Sequence, residues 1–379
     1  MGGKWTRFLD GHALWRRSIA ISVSKGDISS RPAVVRGFPR GIWPFFLPLF
    51  RPFANKRKAR LRIEGKSGSA DMAFWEKKTI GSGWTSVVLD ADRISVACVT
   101  RGPDARPQVE ECESFAREGS DLDALKRLKH AKRLARNHCT TLLAQGQYQL
   151  LQVDRPDNLP KDAPREDLRE TLRWRIKEMV DFPVDQAGVD ILPIPPQAGR
   201  TPQLWVVAAS HDSLRPRVHL FQDAQVPLEA IDIPELAQRN LAGLFEELNR
   251  GLALASFDGK GGQLTITFQG ELFMTRHLDV SGPELARPDA GGLHERVLLD
   301  IQRSLDNFDR NYSSIPLTRL LIGPLPGGEI FIDYLRNNLS LPVAVANLAD
   351  VMDFAAVPRL RETAAQVDAW LALGAALRE

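Results

Sequence analysis

The stretch Leu254–Arg276, LASFDGKGGQLTITFQGELFMTR, reads as strand, Gly-rich turn, strand, turn and strand. Asp258 closes the first strand, and Gly259, Lys260, Gly261 and Gly262 follow it. Such a loop has two physical uses. Small residues leave backbone N–H groups open to a phosphate. Glycine also supplies the positive φ that plain hairpin turns need. Taken alone, the loop favours the plain hairpin, and the rest of the chain must decide how it is used.

The same plan occurs earlier, in WTSVVLDADRISVACVTRG. Val87–Asp90 is an apolar strand, Ala91-Asp92-Arg93 a tight connection, and Ile94–Thr100 an alternating strand. A weaker third strand follows in RPQVEECESFA. Each half of the chain thus opens with a hairpin whose first strand ends in aspartate, Asp90 or Asp258. In the first half the pattern predicts a helix over Asp121–His138, with Leu122, Leu125, Leu128 and Ala135 near one face, and a strand at Tyr148–Asp154. Pro164 opens a helix whose stripe is Leu168, Leu172, Ile176, Met179 and Val180, closed by Phe182-Pro183. Strands in AGVDILPIP, QLWVVAAS and LEAIDIP then alternate with helices over Ser213–Gln222 and Pro234–Asn249. In the last of these Leu236, Asn240, Leu244 and Leu248 share a face.

In the second half a helix over Leu293–Tyr312 follows the meander, with Val297, Leu298, Ile301, Leu305 and Phe308 inward. TRLLIGPLPGG is a buried strand entering a Gly/Pro turn. A helix over Ile330–Leu339, the strand PVAVAN and a terminal helix over Arg359–Arg378 complete the chain. Alternating strands and helices in two parallel plans predict an α/β fold of two lobes, 72–249 and 250–379. The duplication points to the actin-like (ribonuclease H-like) architecture, in which two hairpin turns clasp phosphates and a third Gly-rich turn packs on a base.

The 379 residues are 43% hydrophobic and 26% charged, as in globular proteins. Cys98, Cys112 and Cys139 show no C-x-x-C spacing, which argues against a disulfide framework or thiolate zinc site. No run of 18 apolar residues occurs, so no spanning helix is expected. The net charge of +3 conceals a division. Residues 1–71 carry 15 Lys/Arg against 4 Asp/Glu, and the remainder 35 against 43. The basic segment includes the Pro-rich aromatic patch Gly37–Phe53, where Pro44 and Pro48 would break a helix. It reads as a disordered tail for anionic lipid or nucleic acid, as a presequence, or as sequence ahead of a natural start at Met72. The last reading is preferred, because foldable periodicity begins just after MAFWEKK. No nucleic-acid partner is expected.

Other chemistry is poorly supplied. Ser210-His211-Asp212 lies between a strand and a helix, where Ser210 or Asp212 is expected to cap the helix rather than form a triad. His130, His138 and Cys139 lack the spacing of a helical metal pair, and Glu246 and Glu247 have no opposing acid pair. Neither a catalytic residue nor a metal site is assigned.

Leu172–Pro195, Pro227–Phe245 and Leu298–Pro324 together resemble the PilM/GspL-like family of bacterial pilus-assembly proteins, and most of all its MSHA-biogenesis (MshI-type) branch. The terminal AWLALGAALRE is similar to the family's last helix, and the resemblance spans residues 75–379. It implies an actin-like protein in the cytoplasm, docked at the inner membrane. It further implies an adaptor that binds the cytoplasmic tail of a single-span (PilN/MshJ-like) partner and adjoins the assembly ATPase. Members of the PilM type hold ATP with Mg²⁺ in the cleft, after an Asp followed by small residues and then a Lys.

Here Asp90 matches the Asp, but Ala91, Asp92 and Arg93 replace the small residues, and Ala97 stands where the Lys is expected. The cleft residues carried over are Asp90, Asp258, Gly259, Gly261, Gly262, Gly323 and Gly327, read as vestiges of a nucleotide site. Pro324 removes a backbone donor from the third turn. No bound cofactor is expected. The alternatives are a working ATP-binding switch and, less favoured, a sugar-kinase-like enzyme on the same fold. The partner groove is placed at Ile176, Met179, Val180 and Phe182, residues that equally suit a core.

Overall fold

Two five-stranded sheets of the same topology organise the chain. The computed structural model describes residues 83–378, apart from 102–105, 132–133, 135–137 and 161, all within one compact unit. The basic segment and Met72 lie outside the described residues. In the first sheet β1 (Trp84–Leu89), β2 (Arg93–Arg101) and β3 (Pro107–Ala116) form an antiparallel meander. Two parallel strands, β4 (His138–Leu142) and β8 (Leu228–Asp232), extend it to the order β3-β2-β1-β4-β8. The second sheet repeats this plan with β9 (Gly251–Phe257), β10 (Gly262–Phe268), β11 (Glu271–Leu278), β12 (Leu317–Ile322) and β13 (Val343–Val345), in the order β11-β10-β9-β12-β13. Between β4 and β8 the chain inserts a third, antiparallel sheet of β5 (Gln149–Asp154), β6 (Ala187–Pro193) and β7 (Gln203–Ser210) in the order β5-β7-β6.

Helices cover both faces of the large sheets, so their central strands are buried nearly throughout rather than on alternate residues. On the outer face of the first sheet lie α1 (Asp121–Ala131) and α3 (His211–Asp223). Leu125 and Phe221 there pack with Val87, Ile94 and Val96. Ser210 caps α3 by accepting from the Ser213 amide at 3.2 Å, as its position predicts. On the second sheet α5 (Gly282–Leu285), α6 (Gly291–Asn311) and α7 (Glu329–Asn338) supply Phe308 and Phe331, which meet Phe273 and Phe257 edge-on.

The inner faces are covered crosswise. α4 (Pro234–Ala242), which follows the first sheet in sequence, packs on the second. Its buried Gln238 donates to the carbonyls of Leu254 and Gln263 and to Thr265 Oγ1. The terminal helix α8 (Thr363–Ala376) returns to the first sheet, where Ser86 donates to the Ala372 carbonyl at 2.6 Å. α8 is buried nearly all round between α4 and the sheet, which explains its apolar sequence. At its crossing with α4, a Cβ on Gly374 would lie 2.3 Å from the Ala237 carbonyl oxygen. A single hydrophobic cluster therefore joins Val99 and Val109 of the first sheet to Leu252, Leu254 and Leu321 of the second.

Four element readings need correction. The helix predicted over Asp121–His138 ends at Ala131, and His138 begins the parallel strand β4. That strand, HCTTL, carries a polar pair, yet Thr140 and Thr141 are fully buried, and Thr140 satisfies its hydroxyl on the Ala230 carbonyl. The helix after Pro164, α2 (Arg165–Arg175), stops seven residues before Phe182, because the chain tightens into turns from Ile176. α4 ends at Ala242 instead of Asn249, and Leu248, expected on its apolar face, is 91% exposed. The terminal segment begins as a 3₁₀ turn at Pro358–Arg361, ahead of α8.

Candidate functional site

The two aspartate-terminated hairpins face each other. Asp90 directly follows β1 at its carboxyl edge, where ligands of α/β sheets gather. Its carboxylate accepts from the Ala91 amide at 2.8 Å and forms an ion pair with the Lys260 ammonium of the opposite hairpin. Asp258 turns its carboxylate into its own loop, accepting from the Lys260 amide at 2.7 Å and the Gly261 amide at 3.0 Å. The Asp258 amide donates to the Gly261 carbonyl, and its carbonyl accepts from Gly282. The loop is thus held by its own acid.

The neighbouring residues complete this picture. Asp92 is exposed, and Arg93 turns away to meet Asp368 of α8 at 2.6 Å. Ala97, at the expected lysine position, is fully buried in the core. Three glycines of the opening loop differ in surroundings. A Cβ on Gly262 would lie 2.4 Å from the Phe257 ring, and one on Gly261 would lie 2.8 Å from His277, whereas Gly259 faces open space. In the third turn Gly323 packs against Ser256 and donates to the Ala255 carbonyl at 2.7 Å. Gly327 adopts φ of 73°, which glycine tolerates at no steric cost. Leu325 is buried between Gly282 and Gly328, where a Cβ would come within 3.0 and 2.4 Å of it.

A nucleotide with Mg²⁺, which the fold implies, needs free amides and an available carboxylate. Here two amides of the second loop bond Asp258, the Asp90 carboxylate pairs with Lys260, and the Leu325 side chain packs against Gly282 and Gly328 at the third turn. In this structure those two amides and that carboxylate are already engaged within the protein.

Sequence reasoning passed over a buried polar cluster near the same edge. Asp232, the last residue of β8, is fully buried and accepts from Arg378 Nη1 at 2.7 Å and the Ile233 amide at 2.9 Å. Burial pushes the Asp232 carboxyl up and the Arg378 guanidinium down, each opposed by the charge of the other. The guanidinium lies 5.2 Å from the centre of the Trp84 ring. Nearby, Tyr148 donates to Glu235 at 2.6 Å, and burial raises both. The signal was an acid closing the apolar strand LEAID.

The expected partner face divides. Ile176 is fully buried, and Val180 and Phe182 are half-buried against the core of the inserted sheet. Met179 is 47% exposed, and Trp174, which sequence reasoning did not single out, is 69% exposed with Lys177 beside its ring. Arg165 and Arg169 pin α2 to the buried Asp190 at 2.9 and 3.3 Å. His138 of the histidine–cysteine group pairs with Glu229, whereas Cys139 is fully buried. No described helix is long and apolar enough to cross a membrane.

No family model matches the chain, and no curated protein sequence matches it either. Among solved structures it is similar to the PilM–PilN type IV pilus biogenesis complex, at 17% identity and a TM-score of 0.62, over 79% of this chain and 98% of that one. The cytoplasmic domain of EpsL, an inner-membrane component of the Vibrio cholerae type II secretion system, aligns at 14% identity and a TM-score of 0.39, over 72% and 88%. A Bacteroides thetaiotaomicron protein with an actin-like ATPase fold aligns at 11% identity and a TM-score of 0.42, over 76% and 96%. Two sheets of one topology, crossed helices between them and facing aspartate hairpins make this chain an actin-like, duplicated two-lobed α/β protein.

Proposed function

We propose that the chain is an adaptor in the assembly of a type IV pilus of the MSHA type, related to the MshI branch of the PilM/GspL-like family. It sits in the cytoplasm at the inner membrane and holds the tail of a single-span, PilN/MshJ-like protein. On its other side it adjoins the assembly ATPase. It catalyses no reaction of its own, and its nucleotide site is degraded. The observation that carries this reading is the occupation of the hairpin loops by the protein's own charges. The likeness to a PilM–PilN complex supports the choice of partner. The tail is placed against the exposed Trp174 and Met179, with Val180 and Phe182 forming the half-buried floor.

Two calorimetric titrations of the full chain test this reading. A peptide copying the cytoplasmic tail of the PilN/MshJ-like protein should bind, and W174A/M179A should weaken it at least tenfold. Unchanged binding would remove the tail from this face. ATP or ADP with Mg²⁺ should give no heat up to millimolar concentration. Micromolar binding would refute the degraded site and favour the ATP-binding switch, for which the open space at Gly259 speaks.

A further inference from the structure

We infer that a second partner surface lies along β11: an extended acidic peptide adds to this edge as a further strand, held by the arginines of α6. This surface is separate from the α2 face, and the inference does not depend on the pilus reading.

Among the described residues β11 pairs only with β10 and so closes its sheet at an open edge. Such an edge presents unpaired N–H and C=O groups to an added strand. Its start is covered, because Trp205 Nε1 donates to the Leu272 carbonyl at 2.9 Å. From Met274 onward the strand borders two hollows of about 520 and 510 Å³ that share Arg276 and Arg303. Together they form one groove between β11 and α6.

Charge selects the occupant. Arg276, Arg303 and Arg310 line the hollow beside Trp205, and no carboxylate lines it. Arg276 is engaged by Asp300 at 2.9 Å. Arg303 makes no hydrogen bond or ion pair among the described residues, and Arg310 Nε reaches only the Asp306 carbonyl. Two exposed guanidiniums therefore overhang an open strand edge without a carboxylate partner. They stand seven residues apart, about 10 Å along the helix. Acidic side chains at i and i+2 or i+4 of a strand, about 7 or 13 Å apart, fall within reach of both. The other hollow mixes Asp279, Glu295 and Asp300 with Arg296. The acidic end of the peptide therefore lies beside Trp205.

The test uses the full chain and a fluorescein-labelled ten-residue peptide of alternating valine and glutamate, read by anisotropy. The proposal expects saturable binding that weakens at least tenfold in R303E/R310E and as much when alternate amides of the peptide are N-methylated. Both arginines are exposed, so the variant should fold, as circular dichroism will verify; R303Q/R310Q serves if it does not. No saturable binding, or binding indifferent to charge reversal, overturns the proposal. Equal binding of the methylated peptide overturns strand addition. Preferential capture of inorganic tripolyphosphate would make the groove a phosphate site and overturn it too.

Discussion

Replacing Arg378 by alanine should cost about 3–4 kcal/mol of folding stability at pH 7. The guanidinium faces a carboxylate that is fully buried, at 2.7 Å, and leaves it only the Ile233 amide when removed. Two outcomes are open to the variant. Keeping the charge buried without its partner costs about 3–5 kcal/mol. Taking up a proton avoids that penalty, but holding a carboxyl with a free value of about 3.9 neutral at pH 7 costs about 4 kcal/mol, at 1.36 per unit. The two routes converge, so the cheaper one fixes the loss near 3–4 kcal/mol.

The second route also sets the pH dependence. In the variant, burial opposed only by the Ile233 amide and the charge of Arg239 raises Asp232 further above its unfolded value. A raised carboxyl contributes stability that is complete below the unfolded value and is lost as pH rises through the folded one. Protonation costs only about 1.5 kcal/mol at pH 5, so the gap to the wild type should narrow by about 2 kcal/mol between pH 7 and 5. Urea unfolding followed by tryptophan fluorescence measures this directly. A loss below 1 kcal/mol at pH 7, or the same loss at both pH values, would refute the reasoning. The pair D232N/R378M should recover most of the loss, because a buried ion pair gains little over well-packed neutral groups.

Lys260→Ala should change stability by less than about 1 kcal/mol, since the Asp90 pair is partly exposed. It should nevertheless speed hydrogen exchange at Ala91–Arg93, and unaltered exchange there would deny the contact between the hairpins. Gly374→Ala should destabilise by about 1–3 kcal/mol through overpacking, because its Cβ meets backbone rather than a movable side chain; a melting temperature within a degree of wild type would show that the two helices can separate. Burial pushes the Cys112 and Cys139 thiols up to about 12, so both should resist a disulfide reagent at pH 8 until urea unfolds the chain. Rapid labelling of either in the native protein would contradict their burial.

The architecture was legible because the duplication is written in hairpins. Asp90 and Asp258 directly follow matching strands, and both three-strand meanders fall where the sequence pattern puts them. β4 was not legible, because two threonines interrupt its apolar pattern while Leu134 and Ala135 prolong the helical one. Its identity depends on burial between β1 and β8, a property of the assembled sheet. Helix ends at Arg175 and Ala242 were missed for a related reason: Ile176 and Leu244 keep the 3.6-residue rhythm after the backbone has tightened into turns. At the loops, sequence identified the residues but not their bonds. A carboxylate aimed at its own amides and one aimed outward read identically as Asp258. The crossing of α8 left a trace only in its apolar circumference, and the Asp232–Arg378 pair joins residues 146 positions apart.

The use of the loops bears on the kind of protein this is. A ligand that clasps two lobes stabilises the closed form by an amount that rises with its concentration. A clasp built from Lys260, Asp90 and Asp258 has no such dependence, because its members are always present. On the proposed reading, the two sheets therefore keep one relation whether nucleotide is scarce or abundant. The crossed helices act in the same direction: α4 and α8 share one core with both sheets, so opening the cleft would disturb apolar packing as well as an ion pair. A switch needs two arrangements of comparable free energy, whereas an adaptor needs one geometry in which its partner surfaces stay fixed. The self-satisfied loops and the shared core favour the single geometry, and this is the physical reason for preferring the adaptor to the ATP-driven switch.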